Sequence, residues 1–184
     1  MLARLPPLPM VNLPRAEERG PRGCAPSGAA ALPHGVTGAS RIEYSQRMGN
    51  DEDRIARALE AARQARPRAY APYSKFRTGA ALVTEAGDIV YGALVENVSL
   101  GLAMCAERAA FFSAVAQGCR APTILALVAP RTAGELTWPC GACLQVAIEL
   151  GGPDLEIVVS DPDGVKACAR LGDLASRLPF KGLR

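Results

Sequence analysis

Two cysteine motifs constrain this chain more than any other feature. Cys105-Ala106-Glu107-Arg108 is followed, further along, by Pro139-Cys140-Gly141-Ala142-Cys143. Cys140 and Cys143 have the C-x-x-C spacing with which two thiols of one helical turn bind one ion, whereas Cys105 must come from a separate element. Three protein ligands leave a fourth position open on tetrahedral zinc, which is typical of a catalytic site. The pattern therefore predicts a catalytic zinc ion bound by these three cysteines.

Glu107 is the candidate general base of this site. It follows Cys105 by two residues, so at the start of a helix its carboxylate points to a different side of the backbone from the thiol. From there it can reach a water molecule on the metal without binding the metal, as a general base must.

Two other interpretations of the cysteines stay open. A C-x-x-C pair is often a redox centre, but a redox pair explains neither Cys105 nor Glu107. A closed structural zinc site needs a fourth protein ligand, and none of the candidates has a spacing that recommends it: Cys24, His34, Cys119 and Cys168.

The cysteine motifs stand in order behind two further motifs, Tyr70-Ala71-Pro72-Tyr73-Ser74-Lys75-Phe76 and Val95-Glu96-Asn97. Together they resemble the cytidine deaminase family, in its small homotetrameric branch with three cysteine ligands. The resemblance implies a three-layer α/β/α fold with a five-stranded mixed sheet and a zinc cofactor. It also implies an enzyme of pyrimidine salvage, a hydrolase that deaminates cytidine or deoxycytidine.

The same resemblance assigns roles to single residues. It implies that Glu107 carries protons and that three residues contact the nucleoside: Phe76, Glu96 and Ala106. It implies that Arg108 hydrogen-bonds to the ligand sulfurs and offsets their negative charge. From the residues alone, Phe76 could equally be a core aromatic, and Arg108 a surface arginine paired with an acid such as Glu52.

Three positions depart from the family pattern. Leu94 replaces an asparagine that contacts ribose, Leu100 replaces a frequent tyrosine, and Leu144 replaces a common arginine. A buried hydroxyl left without a partner costs about 1–3 kcal/mol. Two rival hypotheses therefore stay open: a deaminase of another cytosine-bearing small molecule, such as a blasticidin-S-like nucleoside, and a catalytically inactive deaminase-fold binding subunit.

Charge and composition limit the classes of partner that are expected for this chain. The 184 residues suffice for one domain with a proper core, and 49% of them are hydrophobic. No apolar run approaches the roughly 20 residues that span a bilayer, so no membrane partner is expected. The net charge of +3 belongs to residues 1–50, and the remainder is balanced. This distribution argues against nucleic acid as a partner, and thiolate ligands favour a reducing, cytoplasmic setting.

The chain divides near residue 50. Residues 1–50 are rich in proline, glycine and alanine, which predicts a disordered N-terminal extension, and residues 51–184 are predicted to form the catalytic domain. A helix is expected from Asn50 or Asp51 to about Arg66, ended by Pro67. The pattern downstream predicts the element order α-β-β-α-β-α-β-β-α, with a closing antiparallel hairpin of the kind found in free-nucleoside deaminases. The predicted strands are Thr78–Thr84, Asp88–Glu96, Thr123–Ala129, Leu155–Ser160 and Val165–Ala169, and the two central helices run from Cys105 to about Gln117 and from Cys140 to about Leu150.

Overall fold

A computed structural model of the chain describes the backbone of residues 38–178 and the side chains of residues 51–178. Between residues 38 and 178, four α-helices and five β-strands follow one another in the predicted order, which is confirmed. The helices are α1 Gly38–Ala65, α2 Ala106–Ala116, α3 Gly141–Gly151 and α4 Leu171–Leu174; the strands are β1 Gly79–Thr84, β2 Ile89–Ala93, β3 Pro122–Val128, β4 Glu156–Ser160 and β5 Lys166–Arg170.

The strands form one mixed sheet in the order β2-β1-β3-β4-β5. Of the four pairs of neighbouring strands in this sheet, β3 with β4 is parallel and the other three are antiparallel. The β1–β2 hairpin turns at Gly87, which has φ of +89° as its position in a tight turn requires. This arrangement confirms the predicted five-stranded mixed sheet.

Helices cover both faces of the sheet, because successive strand residues point to opposite sides. On β3, Ile124, Ala126 and Val128 join the core beneath α1. The alternate residues Leu125 and Leu127 join the core beneath α2 and α3. Burying one such leucine completely stabilises the fold by about 1.5–3 kcal/mol, so the two cores together hold three layers in place.

Two glycines let helices pack directly on the sheet backbone. A Cβ atom on Gly92 of β2 would lie 2.4 Å from the carbonyl oxygen of Ala106 and from the amide nitrogen of Ala110, both in α2. A Cβ atom on Gly79 of β1 would lie 2.2 Å from the carbonyl oxygen of Ala62 in α1. These approaches fix the depth at which α1 and the first turns of α2 sit on the sheet.

The first helix differs from its prediction at one end. It begins at Gly38 rather than at Asn50 or Asp51, so Asn50 lies within the helix and does not cap it. No proline interrupts residues 38–66, and backbone hydrogen bonding continues through the position where a cap was expected. The helix ends at Ala65, before Pro67, as predicted. Residues 1–37 lie outside the described part, and their disorder stays a prediction.

The second strand is shorter than predicted. It ends at Ala93, so Glu96 lies beyond it, in a segment tied to the rest of the molecule by isolated bridges of Val95 with Tyr70 and Met104. Within residues 38–178, none of the helices is both long enough and apolar enough to cross a membrane.

Candidate metal centre and catalytic carboxyl

The structure brings the three predicted zinc ligands together. The sulfur atoms of Cys105, Cys140 and Cys143 all lie within 4.8 Å of one another. The Cys140 and Cys143 sulfurs are 3.5 Å apart, as their spacing in one helical turn predicts. Cys105 joins them from a different helix, so the cluster depends on how α2 and α3 pack.

Two helix starts build the cluster. Cys105 is the N-cap of α2 and Cys140 the N-cap of α3, and both have extended backbones, with φ of −66° and −69°. Neither side chain caps its helix, so both sulfurs stay available to a metal. The positive end of each helix dipole favours the thiolate form of a nearby cysteine.

The thiols of Cys105 and Cys143 differ in pKa. A hydrogen bond from Cys143 lowers the pKa of the Cys105 thiol, and a hydrogen bond from Arg108 lowers it further. The same contact with Cys105, followed by burial, raises the pKa of Cys143. Of these two thiols, Cys105 is therefore the first to hold negative charge, and metal binding must displace a proton from Cys143.

Glu107 lies in the first turn of α2, and its side chain is only 4% exposed. Burial raises the pKa of its carboxyl from the ordinary 4.5 to about 7, and the negative charge of Cys105 raises it as well. A hydrogen bond with Cys143 has the opposite effect. A carboxyl that titrates near neutrality can both accept and return a proton.

Arg108 leans back over the start of its own helix. Its Nη2 donates to the carbonyl oxygen of Ala103 at 3.1 Å and lies 3.9 Å from the sulfur of Cys105. The guanidinium thus lies against one thiolate of the cluster, where it partly neutralises the negative charge. None of the ion pairs among the described residues joins Arg108 to Glu52, so the alternative of a surface pair between these two residues has no support.

Glu96 makes contacts that the sequence did not indicate. Its carboxylate accepts a hydrogen bond from the backbone amide of Tyr73 at 2.9 Å and others from the amide and hydroxyl of Ser74. These hydrogen bonds, that of the Ser74 hydroxyl first, lower the pKa of Glu96. The Ser74 hydroxyl also accepts from the amide of Phe76 at 2.9 Å. Glu96 therefore ties down the segment that carries Phe76.

Ser74 contacts two of the predicted substrate-binding residues, Glu96 and Phe76, and the sequence analysis gave it no role of its own. A serine side chain that accepts a hydrogen bond from the amide two residues later is a known turn motif, so its position before Phe76 was the signal available.

Phe76 itself is partly buried and packs against the core beneath α2 and α3. Ala106 is fully buried at the start of α2, and the half-buried Leu94 donates its amide to Thr78.

A second missed feature is the anchor of the loop that leads to Cys140. Arg131 donates through Nε to the buried carboxylate of Asp161 at 2.8 Å and through Nη1 to the carbonyl oxygen of Gly134 at 3.0 Å. The Thr137 hydroxyl donates to the carbonyl oxygen of Pro130 at 2.6 Å and closes the base of the loop. A charged pair between residues so distant in sequence has no local signal.

The donor set fits zinc. Three thiol groups gathered at two helix starts are soft ligands of the kind that zinc prefers, and a cluster of three leaves room for a further ligand. Glu107 lies beside the thiols without being part of the cluster of sulfur ligands. The described residues thus provide metal ligands and a separate buried acid.

Comparisons with known proteins agree with this chemistry. A family model described as the cytidine and deoxycytidylate deaminase zinc-binding region matches residues 50–159. A cytidine deaminase of Sporosarcina psychrophila is 41% identical over 110 residues, which are 60% of this chain and 79% of the relative. One from Mycobacterium tuberculosis is 42% identical over 113 residues, covering 61% of this chain and 80% of the relative.

Solved structures give the same result. The crystal structure of cytidine deaminase from Burkholderia pseudomallei superposes with a TM-score of 0.61 and 50% identity, covering 65% of this chain and 94% of that one. A cytidine deaminase structure from Mycobacterium tuberculosis gives a TM-score of 0.56 at 38% identity and covers 66% and 94% of the two chains.

Proposed function

Because this chain belongs to the cytidine and deoxycytidylate deaminase family, we propose that it is a zinc-dependent hydrolase that deaminates cytidine and deoxycytidine in pyrimidine salvage. One observation carries the proposal: the buried carboxyl of Glu107 lies beside three clustered thiols without being one of them. A structural zinc site has no use for such an acid.

Cys105, Cys140 and Cys143 are the proposed zinc ligands. Zinc, when bound there, supplies a Lewis acid that makes water nucleophilic at neutral pH and stabilises negative charge on oxygen. Arg108 offsets part of the charge of three thiolates through its contact with Cys105. Without that compensation, the negative charge of three thiolates would make a metal ion held there a weaker Lewis acid.

Glu107 is the proposed proton carrier. It accepts a proton from water and delivers it to ring nitrogen N3 of cytosine. It then accepts the remaining proton of the oxygen that has joined C4 and delivers that proton to the departing amine. A bond from oxygen to C4 forms, the bond from C4 to the exocyclic nitrogen breaks, and ammonia leaves. Burial of Glu107 keeps competing water away from these transfers, and its raised pKa suits a group that must hold a proton and release it.

Phe76, Glu96 and Ala106 are the proposed substrate contacts. Glu96 already accepts hydrogen bonds from Tyr73 and Ser74. A carboxylate has about four acceptor positions, so a sugar hydroxyl can join them. Through the same hydrogen bonds Glu96 orders the segment that presents Phe76 to the nucleoside. The antiparallel pairing of β5 with β4 supports a free nucleoside as substrate.

Exposed apolar side chains support a homotetramer. Val98, Leu100 and Leu102 are 82%, 85% and 69% exposed, and they follow one another closely in sequence between Glu96 and the start of α2. Several large apolar side chains exposed in one short segment are typical of a surface that another chain covers. Cytoplasmic localisation is proposed from the chemistry of the three proposed ligands, because a reducing compartment keeps thiols available to a metal ion.

An ultraviolet assay of the zinc-loaded protein with cytidine, and then with deoxycytidine, tests the proposal. We expect both to be converted to the uracil products, with Leu94 tolerated beside the sugar. Protein that holds one zinc per chain but converts neither nucleoside would contradict the proposal. It would favour another cytosine-bearing substrate, or an inactive binding subunit if a panel of such compounds also stayed unchanged.

A further inference from the structure

A cavity lies on the α1 side of the sheet, away from the thiol cluster. It has a volume of about 350 Å³, near the lower end of the range for small-molecule sites. Three of its lining residues are arginines, and none is acidic: Arg63, Arg66, Pro67, Arg77, Val128 and Pro162. We call it the arginine cavity. The catalytic proposal uses none of these residues.

The fold brings these arginines together from separate elements. Arg63 is in the last turn of α1, Arg66 begins the short 3-10 turn after it, and Arg77 precedes β1. Gly79 sets their spacing, because its missing side chain lets the backbone of Arg66 pack directly on β1. The cavity therefore results from tertiary packing.

Two of the guanidinium groups are held in place by backbone carbonyls. Arg66 donates through Nε to the carbonyl oxygen of Arg77 at 3.0 Å, and Arg77 donates through Nη1 to the carbonyl oxygen of Pro67 at 3.4 Å. Each hydrogen bond uses one donor and leaves the other N–H groups of that fork for a ligand. A guanidinium that is already positioned loses less side-chain entropy when it binds an oxyanion.

The positive charge of the cavity is poorly compensated. Glu60 is the carboxylate that contacts Arg63, at 3.9 Å and on an exposed surface, where an ion pair contributes little. Asp161, next to Pro162 in sequence, is already engaged by Arg131. The carbonyl oxygen of Arg66, at the negative end of α1, accepts from the amide of Ala69. An anion in the cavity would thus meet three cations.

From this geometry we infer that the arginine cavity is a binding site for a phosphate group, carried by a small phosphomonoester or present as free phosphate. Guanidinium forks match phosphate oxygens in pairs, which makes arginine the residue typical of such sites. Val128 and Pro162 add apolar surface on which the organic part of a phosphomonoester can pack.

Calorimetric titration of the zinc-loaded full chain tests this inference, with inorganic phosphate, AMP and adenosine as probes. We expect saturable binding of phosphate and AMP, none of adenosine, and affinity that falls as ionic strength rises. AMP binding about tenfold tighter than phosphate assigns a phosphomonoester, whereas equal affinity assigns free phosphate. Absence of saturable binding of both at millimolar concentrations overturns the inference.

Single variants locate the site. Arg63→Gln, Arg66→Gln and Arg77→Gln should each weaken phosphate binding about tenfold, since each removes charge-assisted hydrogen bonds. Arg57→Gln removes the same charge from α1 outside the cavity and should leave the affinity within about twofold. Equal weakening by all four would indicate diffuse attraction and overturn the site. Arg63→Gln keeps the test valid if the other two affect folding, because its described contact is a surface ion pair.

Discussion

The starts of α2 and α3 look alike in sequence and differ in their surroundings. Each has a cysteine at the N-cap with an extended backbone. The first turn of α2 is buried, with Ala106 fully covered and Glu107 4% exposed. The first turn of α3 is exposed at Gly141 and Ala142 and buries only Cys143. The start of α2 therefore surrounds an acid with protein, and the start of α3 carries one exposed thiol, Cys140, and one buried thiol, Cys143.

This difference in burial separates proton transfer, at the start of α2, from metal binding at the exposed start of α3. A buried first turn raises the pKa of a carboxyl and suits proton transfer, whereas an exposed first turn lets a metal and its ligands meet. The close approach of α2 at Gly92 buries its first turn, whereas at the start of α3 a Cβ atom on Gly141 would meet nothing within 4 Å.

The largest expected effect comes from Glu107→Gln. It removes the proposed proton carrier while keeping the shape of the side chain, so turnover of cytidine should fall by at least about a hundredfold. Zinc content and melting temperature should stay nearly unchanged. Glu149→Gln, on the exposed side of α3, is the matched control and should keep full activity. Loss of zinc in Glu107→Gln would mean that the carboxylate is a metal ligand.

Alanine at the two glycines should separate the helix starts by stability. Gly92→Ala places a Cβ atom 2.4 Å from the α2 backbone and should destabilise the fold by about 1–3 kcal/mol or more. Gly141→Ala has open space and should stay within about 0.5 kcal/mol of the original protein. Urea unfolding of both variants measures this. Equal stabilities would show that α2 can move off β2 at little cost.

Serine at two cysteines should distinguish metal binding from packing. Cys140→Ser and Cys143→Ser should both weaken zinc binding, as measured by metal content after mild chelation. Without metal, only Cys143→Ser should lose stability, by about 1–3 kcal/mol, because its hydroxyl is buried among the thiols. If zinc-free Cys140→Ser loses as much, the exposed start of α3 contributes more to folding than its surroundings indicate.

The smallest effect concerns a second buried acid, Glu156 on β4. Burial raises its pKa to about 7, the nearby Asp51 adds to this, and its Oε1 has no hydrogen-bond partner among the described residues. The folded state therefore binds more protons than the unfolded state between about pH 4.5 and 7, so this residue makes stability fall as pH rises through that window.

Glu156→Gln should remove that part of the pH dependence. Melting temperatures at pH 5 and pH 7.5 should differ less in the variant than in the original protein, while cytidine turnover stays within about twofold. Unchanged pH dependence would show that Glu156 is ionised in both states. Reduced turnover would show that it acts on the site from the other side of the sheet.

Local patterns gave most of the secondary structure. The elements after Pro67 end within a few residues of their predicted limits, because strand alternation, glycine turns and helix starts are set by neighbours in sequence. The start of α1 was wrong because a favourable cap residue at Asn50 does not by itself interrupt a helix. The end of β2 was wrong because β-propensity does not report which residues find a partner strand.

The sequence by itself determined the two proposed metal ligands that share one turn, Cys140 and Cys143, and the position of Glu107 just behind a third cysteine. Those features are local, so spacing alone specifies them. Only the tertiary structure decided that Cys105 meets the pair, that Glu107 is buried and that Glu96 holds the segment before Phe76. Each of these depends on which backbones pack against one another, and that is settled by contacts between residues far apart in the chain.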